Sequence, residues 1–339
     1  MIDFEHGVVT LDYGSGGEKT AELIDTLLRP AFSNPALDAL GDGAVLPAPG
    51  EQLAFSTDSF VVQPLFFPGG DIGKLAVCGT VNDLAMCGAE PRWLSLSMIL
   101  EEGFPFSSLR RIVESIARTA KEAGVCIATG DTKVVERGHG DGVYLNTAGI
   151  GVVHTPGLSP AAIRPGDKVL VTGPIGDHGT AVMLARADLG PGFESPIVSD
   201  CMALHHLAAV ACAAGGVRVL RDATRGGAAT TLNEFTDGQS FGICLFERDI
   251  PVRPEVRAAC ELLGLDPLYC ANEGRMLCLA APESAPAILD ALHALPGGEG
   301  AVCIGEVTEE FPGRVVLRTE LGAHRVLTRL AGAQLPRIC

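Results

Sequence analysis

The chain has 339 residues and a net charge of -16, with 47% hydrophobic, 19% charged and 5% aromatic side chains. That length favours two compact domains, each with its own aliphatic core. The negative balance excludes nucleic acid and anionic membrane as main partners. No 18-residue apolar window occurs, and the start Met1-Ile2-Asp3-Phe4-Glu5 lacks the flank of a signal peptide, so the expected location is cytoplasmic. Eleven cysteines, an odd number without a C-x-x-C pair, argue for reduced thiols rather than a disulfide framework or structural zinc.

In chain order, the first element is an amphipathic helix that follows Asp12-Tyr13-Gly14-Ser15-Gly16-Gly17-Glu18-Lys19-Thr20 and is expected to stop at Pro30. The glycines would let backbone N–H groups approach phosphate oxygens; a loose N-terminal loop fits these residues equally well. A small-residue, helix-like run spans 74–89, interrupted by Asn82-Asp83. An alternating strand at 94–100 leads to a helix capped by Ser107, carrying Leu109, Ile112, Val113, Ile116, Ala117 and Ala120, and ended by Gly124. Strands follow at 125–129 and 142–153. Prolines and glycines at 154–167 place a domain boundary near 155. Beyond it the spacing predicts strands at 168–172, 217–220, 242–246, 276–280, 301–307 and 314–318, with helices at 179–189, 198–214, 254–264 and 284–295. The reading is a mixed α/β (α+β) chain with domains at 1–155 and 156–324 and a flexible tail at 325–339.

Five aspartates recur beside glycine or at the ends of apolar runs, where turns are expected: Asp42, Asp58, Asp83, Asp131 and Asp222. Any one of them serves as a turn cap on its own backbone. Asp83 stands out because its surroundings are apolar, so the carboxylate needs a partner such as a divalent cation. The sequence ends Pro336-Arg337-Ile338-Cys339. A terminal cysteine is either a free thiol on a frayed end or a sulfur delivered into a cleft by a proline-stiffened segment, with Arg337 offsetting nearby negative charge. His178, His205 and His206 read as structural or surface residues, and the other ten cysteines as small core residues.

Taken together, Asp12-Tyr13-Gly14-Ser15-Gly16-Gly17, Gly41-Asp42-Gly43-Ala44, Ser56-Thr57-Asp58-Ser59, Val81-Asn82-Asp83-Leu84-Ala85, Gly130-Asp131-Thr132-Lys133, Arg221-Asp222-Ala223-Thr224-Arg225-Gly226-Gly227, Ala271-Asn272-Glu273-Gly274 and Pro336-Arg337-Ile338-Cys339 resemble the HypE family of hydrogenase maturation enzymes. That family belongs to the PurM-like ATP-binding superfamily, related to AIR synthase. The aspartate motifs are shared across the superfamily; the Pro-Arg-Ile-Cys ending is the specific part. The selenophosphate-forming branch would place a reactive cysteine in the N-terminal glycine-rich region, yet none occurs before Cys78.

The resemblance implies a homodimer built on sheets of the N-terminal domains, a C-terminal α/β domain on each side, and ATP with Mg²⁺ held between domains. It also implies a carbamoyl group received on Cys339 from HypF, ATP-dependent dehydration to a thiocyanate, and transfer of cyanide to a HypC–HypD complex. Gly14, Ser15, Gly16 and Gly17 would then cradle phosphate, and Asp42, Asp58, Asp83, Asp131 and Asp222, or a subset, would hold Mg²⁺. Glu273 is the expected base and Lys133 the expected cation on the carbamoyl oxygen or transferring phosphate. On residue type alone, Glu273 is also a surface turn residue and Lys133 a plain ion-pair partner.

Overall fold

A computed structural model describes residues 2–14, 18–38, 46, 50, 52–187, 195–329 and 338–339. Ser15, Gly16, Gly17, Asp42 and Arg337 lie outside the described residues. The described strands are β1 (Leu53–Phe60), β2 (Phe66–Phe67), β3 (Gly70–Asp71), β4 (Ala89–Glu101), β5 (Cys126–Val135), β6 (Val143–Val153), β7 (Lys168–Val171), β8 (Val217–Asp222), β9 (Gly242–Phe246), β10 (Met276–Ala280), β11 (Val302–Thr308), β12 (Val315–Arg318) and β13 (His324–Leu327). The helices are α1 (Glu18–Leu23), α2 (Arg29–Phe32), α3 (Ile72–Met86), α4 (Phe106–Glu122), α5 (Asp177–Arg186), α6 (His205–Ala214), α7 (Gly227–Thr236), α8 (Pro254–Leu263) and α9 (Ala285–His293).

Four strands in the order β1-β6-β4-β5 form the first sheet, and seven in the order β13-β12-β9-β11-β7-β10-β8 form the second. In the first, β4 and β5 are parallel, joined by the α4 crossover, and the other pairs are antiparallel. α3 explains much of the assembly. Its residues are small or apolar all round, which suits a helix buried on every side, and all but Lys74 and Asp83 are buried. It packs on β1, β4 and β6 of the first sheet, on α4, and on α6 and β8 of the second unit. Asp71 caps it by accepting from the backbone N–H groups of Gly73 and Lys74. Asn82, 1% exposed, then fastens it across the seam: its amide donates to Met202 O at 3.1 Å and its carbonyl accepts from Leu204 N at 2.7 Å.

The second sheet is covered on both faces. Ala228, Ala229, Leu232 and Phe235 of α7 join Val169, Val171, Ile243 and Leu277 in one core. Leu207 and Ala211 of α6 and Ile288 and Leu292 of α9 pack with Leu170, Leu220 and Cys278 in the other.

Several local expectations change. The N-terminal helical run continues past Pro30 to Phe32, because the π-turn at Ile24–Leu28 and the helix restart at Arg29 put proline in a first turn, where its missing N–H costs nothing. Pro105, not Ser107, caps α4. Residues 198–204 are not helical; Ser199, Asp200 and Leu204 spend their polar groups on Cys201, Glu273 and Asn82. Asp58 and Asp131 lie inside β1 and β5 rather than on turns. Residues 325–327, expected to begin a flexible tail, instead belong to β13, which follows a turn at Gly322 (φ +82°) and buries Leu327. Of the cysteines, Cys78, Cys201, Cys260, Cys270 and Cys278 are core residues as expected, whereas Cys87 and Cys126 are exposed.

Gly274 supports the seam by close approach: a Cβ there would collide with the Asp200 carbonyl oxygen. Gly274→Ala should therefore destabilise the chain by roughly 1–3 kcal/mol, read as a fall in the urea midpoint at unchanged slope.

Candidate active site

β8 delivers Asp222 to its end, where the backbone reverses through Gly226 and Gly227 at φ +77° and +61° and starts α7. Only glycine fits at Gly227, because a Cβ would meet the carbonyl groups of Leu268 and Cys270. The loop before β10 is stitched to this turn by Asn272. Its amide donates to Ala223 O at 2.9 Å and Cys270 O at 3.1 Å, and its carbonyl accepts from Gly176 N at 2.7 Å. Next to it, the Glu273 backbone N–H donates to Asp200 Oδ1 at 3.0 Å and its carbonyl accepts from Met202 N. These contacts fix the Glu273 side chain at the seam.

There a cavity of about 320 Å³ is lined by Asp58, Asp83, Asp222, Arg225, Glu273 and Cys339, with Thr57, Gly79, Arg221, Thr224, Thr231 and Glu234 around them. Gly79 keeps its α3 wall open, since a Cβ would press on the Phe60 ring. The cavity is acidic, and its Glu273 and Asp222 walls are buried. Burial, then the neighbouring Asp222 and Asp200, pushes the Glu273 carboxyl well above the usual carboxylate range. Glu273 is 2% exposed and its Oε1 has no hydrogen-bond partner. Burial, then Asp83, raises Asp222 to about 7. Asp83 is raised by burial although the Ser56 hydroxyl donates to it at 2.6 Å. The Cys339 thiol is also pushed up, by burial first and then by Glu273.

Sequence reasoning named Asp58, Asp83, Asp222, Glu273 and Cys339, and these five share the cavity. Within one chain Asp131 and Lys133 do not join them. Asp58 pairs in register with Thr147, Leu96 and Gly130, on the face covered by α3; Asp131 lies in the next row with Ser59, Asn146 and Ser97, on the opposite face. Lys133 Nζ binds both Asp131 oxygens at 2.7 Å, and the pair lines a separate pocket of about 340 Å³ beside α1 and α2. Gly14 ends a short 3-10 turn at Leu11–Gly14.

Arg221, Arg225 and Thr224 were missed as site residues although they flank Asp222 in the quoted motif; cations beside a carboxylate at a glycine turn before a helix were the available signal. His178 was misread. It is fully buried and hydrogen bonded to Ile338, and nothing in its local sequence announces that contact.

Among the described residues, no group of three His, Cys, Asp or Glu side chains is arranged to hold a metal by itself. Mg²⁺ does not need such a cage, because it keeps several waters and takes one or two carboxylates plus substrate phosphates. The crowded carboxyls of Asp58, Asp83 and Asp222, with raised proton affinity at the last two, fit a cation of that kind.

Two family models match the chain: "AIR synthase related protein, N-terminal domain" over residues 40–153 and "AIR synthase related protein, C-terminal domain" over 164–318. The chain belongs to this AIR synthase-related family, whose two-domain mixed α/β architecture it has. The carbamoyl dehydratase HypE of Rhizobium leguminosarum bv. viciae is 50% identical over 341 residues, covering 100% of this chain and 97% of that protein. A crystal structure of the hydrogenase maturation protein HypE in complex with ATP is 47% identical with a TM-score of 0.93, covering 97% and 99% of the two chains. A HypE–HypF complex matches at 45% identity and TM-score 0.79, covering 91% and 99%. Within the wider family the chain is thus a member of the HypE carbamoyl dehydratases, enzymes of hydrogenase maturation.

The raised Asp222 pKa has a consequence for stability. The folded chain keeps that proton up to about pH 7, whereas an ordinary aspartate loses it near 3.8. The folded state therefore binds the extra proton between these values, and stability falls as pH rises through the window. Asp222→Asn should flatten the decline in Tm between pH 4 and pH 7. An unchanged slope would assign the decline to other groups, such as Asp177, which burial raises to about 6.

Proposed function

We propose that the chain uses ATP to dehydrate an S-carbamoyl group carried on Cys339 into a thiocyanate, the source of a cyanide ligand for [NiFe]-hydrogenase. The carrying observation is that Cys339 lines the same cavity as Glu273, Asp222, Asp83, Asp58 and Arg225. HypF, which is in complex with a relative, is the proposed donor, a HypC–HypD complex the proposed acceptor, and the cytoplasm the proposed location. No helix among the described residues is long and apolar enough to cross a membrane.

The chemistry follows from the leaving group. Hydroxide leaves a carbamoyl carbon badly and phosphate leaves well. In the proposed sequence the carbamoyl oxygen attacks the γ-phosphorus and ADP departs as one N–H proton is removed. The carbon–oxygen bond then breaks, phosphate leaves, the second N–H proton is lost and the carbon–nitrogen triple bond forms. Thiocyanate, ADP, hydrogen phosphate and one released proton are the balanced products. Glu273 is the proposed proton acceptor: burial that raises its proton affinity makes its ionised form a stronger base. Arg225, Arg221 and the start of α7 offer positive charge to phosphate oxygens. Mg²⁺, when bound by one or two of Asp58, Asp83 and Asp222, with Asp42 as a further candidate, would neutralise the nucleotide. The glycine segment Gly14, Ser15, Gly16 and Gly17 is the proposed phosphate cradle.

Intact mass spectrometry after incubation with a carbamoyl donor and ATP tests this reading. Cys339→Ala should carry neither adduct while still binding ATP. Glu273→Gln should accumulate the carbamoyl adduct and dehydrate it roughly 10²–10⁴-fold more slowly. Thiocyanate formed by the first variant, or a normal rate in the second, would remove the corresponding residue from the mechanism.

A homodimer is part of the same proposal. The uncovered face of the first sheet presents Phe55, 70% exposed, with Leu53 and Ile99 also exposed, and Trp93 and Ile150 lie in register with Phe55. A contiguous apolar sheet face of this kind is a protein contact surface, and a two-fold arrangement would cover it in both copies. Asp131 and Lys133 border this face, so their proposed roles as nucleotide and substrate ligands are toward the partner copy's site. Phe55→Glu should shift the mass measured by light scattering from dimer to monomer; an unmoved dimer would place the interface elsewhere.

A further inference from the structure

Ile338 and Cys339 are held at three points. The Ile338 side chain is 2% exposed, in a core cluster that is mainly first-domain and also holds Val182, Cys201 and Ala271 of the second. The backbone N–H of Val61, just past the end of β1, donates to Cys339 O at 3.0 Å. The third contact comes from the other domain: His178 Nε2 lies 2.8 Å from Ile338 O. His178 is fully buried in the first turn of α5, and the edge of Phe67 packs on it with ring centroids 5.4 Å apart.

The hydrogen-bond inventory assigns the proton. A carbonyl oxygen only accepts, so Nε2 must carry hydrogen. Nδ1 lies 2.8 Å from Ser199 Oγ, which already accepts from the Cys201 N–H at 3.1 Å. The Ser199 hydroxyl hydrogen is therefore free to point at Nδ1, and the neutral Nε2–H tautomer satisfies both ring nitrogens. A flip of the ring, or loss of the serine hydroxyl, would leave a buried polar atom without a partner, which is costly. The imidazole is thus held in one orientation with one donor, aimed at the residue before the reactive cysteine.

We propose that His178, oriented by Ser199, is a positioning residue that latches the Cys339 segment into the seam cavity and sets how often the thiol leaves it. The idea deepens the carrier reading of Cys339: a thiol that must meet a donor protein outside and react inside needs a hold that is specific but weak. One buried hydrogen bond contributes about 0.5–1.5 kcal/mol, enough to bias the segment inward without trapping it.

The experiment is the rate of Cys339 alkylation by iodoacetamide in the full chain, read on the proteolytic peptide that carries Cys339, with Cys278, buried in the second sheet, as the internal control. His178→Ala should speed Cys339 labelling roughly two- to tenfold and leave Cys278 unchanged. His178→Gln, whose amide N–H can replace Nε2–H, should restore the rate to within about twofold of the parent. If His178→Ala does not fold, Ser199→Ala is the alternative variant, and it should raise Cys339 labelling selectively. An unchanged Cys339 rate, or a parallel rise at Cys278, overturns the latch. Alkylation needs neither ATP nor a carbamoyl donor, so failure here is distinguishable from failure of the proposed chemistry.

Discussion

The structure depends on burying more carboxyl groups at one seam than it supplies with partners. Glu273 is nearly inaccessible with one oxygen unbonded, and Asp222 beside it is held near neutrality by its surroundings. Burying ionised carboxylates without compensation costs several kcal/mol, and keeping the proton is the cheaper state of an empty pocket. Such an arrangement persists only where the framework over-determines it. Asn82 ties α3 to the second domain, Asn272 ties the Glu273 loop to Asp222, and Gly274 and Gly227 let backbones approach where any side chain would separate them. All of these contacts act on the same few ångströms of chain. They hold together carboxyls whose repulsion would otherwise be relieved by moving apart, and such crowding suits a cation-bearing polyphosphate.

The alternation of a β-strand explains why the remaining expected ligands stand elsewhere. Asp58 and Asp131 both belong to the first sheet, but register sets them one row apart and so on opposite faces. The α3 face faces the seam cavity. The other carries the apolar row of Phe55, Ile150 and Trp93, and beside it the Asp131–Lys133 ion pair. One sheet thereby serves two surfaces, and a residue's parity along its strand decides which it serves.

Much of this was legible in the sequence. The α4 pattern, the alternating strands and the breakers at 154–167 follow from periodicity and turn chemistry, and the motif around Asp222 and Glu273 led to residues that share one cavity. The exceptions have specific causes. Asp58 and Asp131 sit next to serine, threonine or glycine and so resemble turn residues, yet both lie within strands, where long-range pairing outweighs local preference. Residues 198–204 have helical composition but are drawn out by bonds to Asn82 and Glu273, partners distant in sequence. The partner of His178 was unreadable for the same reason: it is Ile338, 160 positions away.

The elevated proton affinity of Cys339 completes the physical picture. A thiolate is the nucleophile in acyl transfer to sulfur, and this cavity suppresses it, chiefly through burial. The site is therefore poorly suited to loading the sulfur and well suited to holding sulfur that already carries an acyl group, because a thioester-like sulfur has no proton to lose and gains from a dry environment. Glu273, the proposed proton acceptor, lines the same cavity. On the proposed chemistry, loading and dehydration make opposite electrostatic demands, which a sulfur moving between two environments would meet. A weak hold on Ile338, rather than a permanent one, is what that division requires.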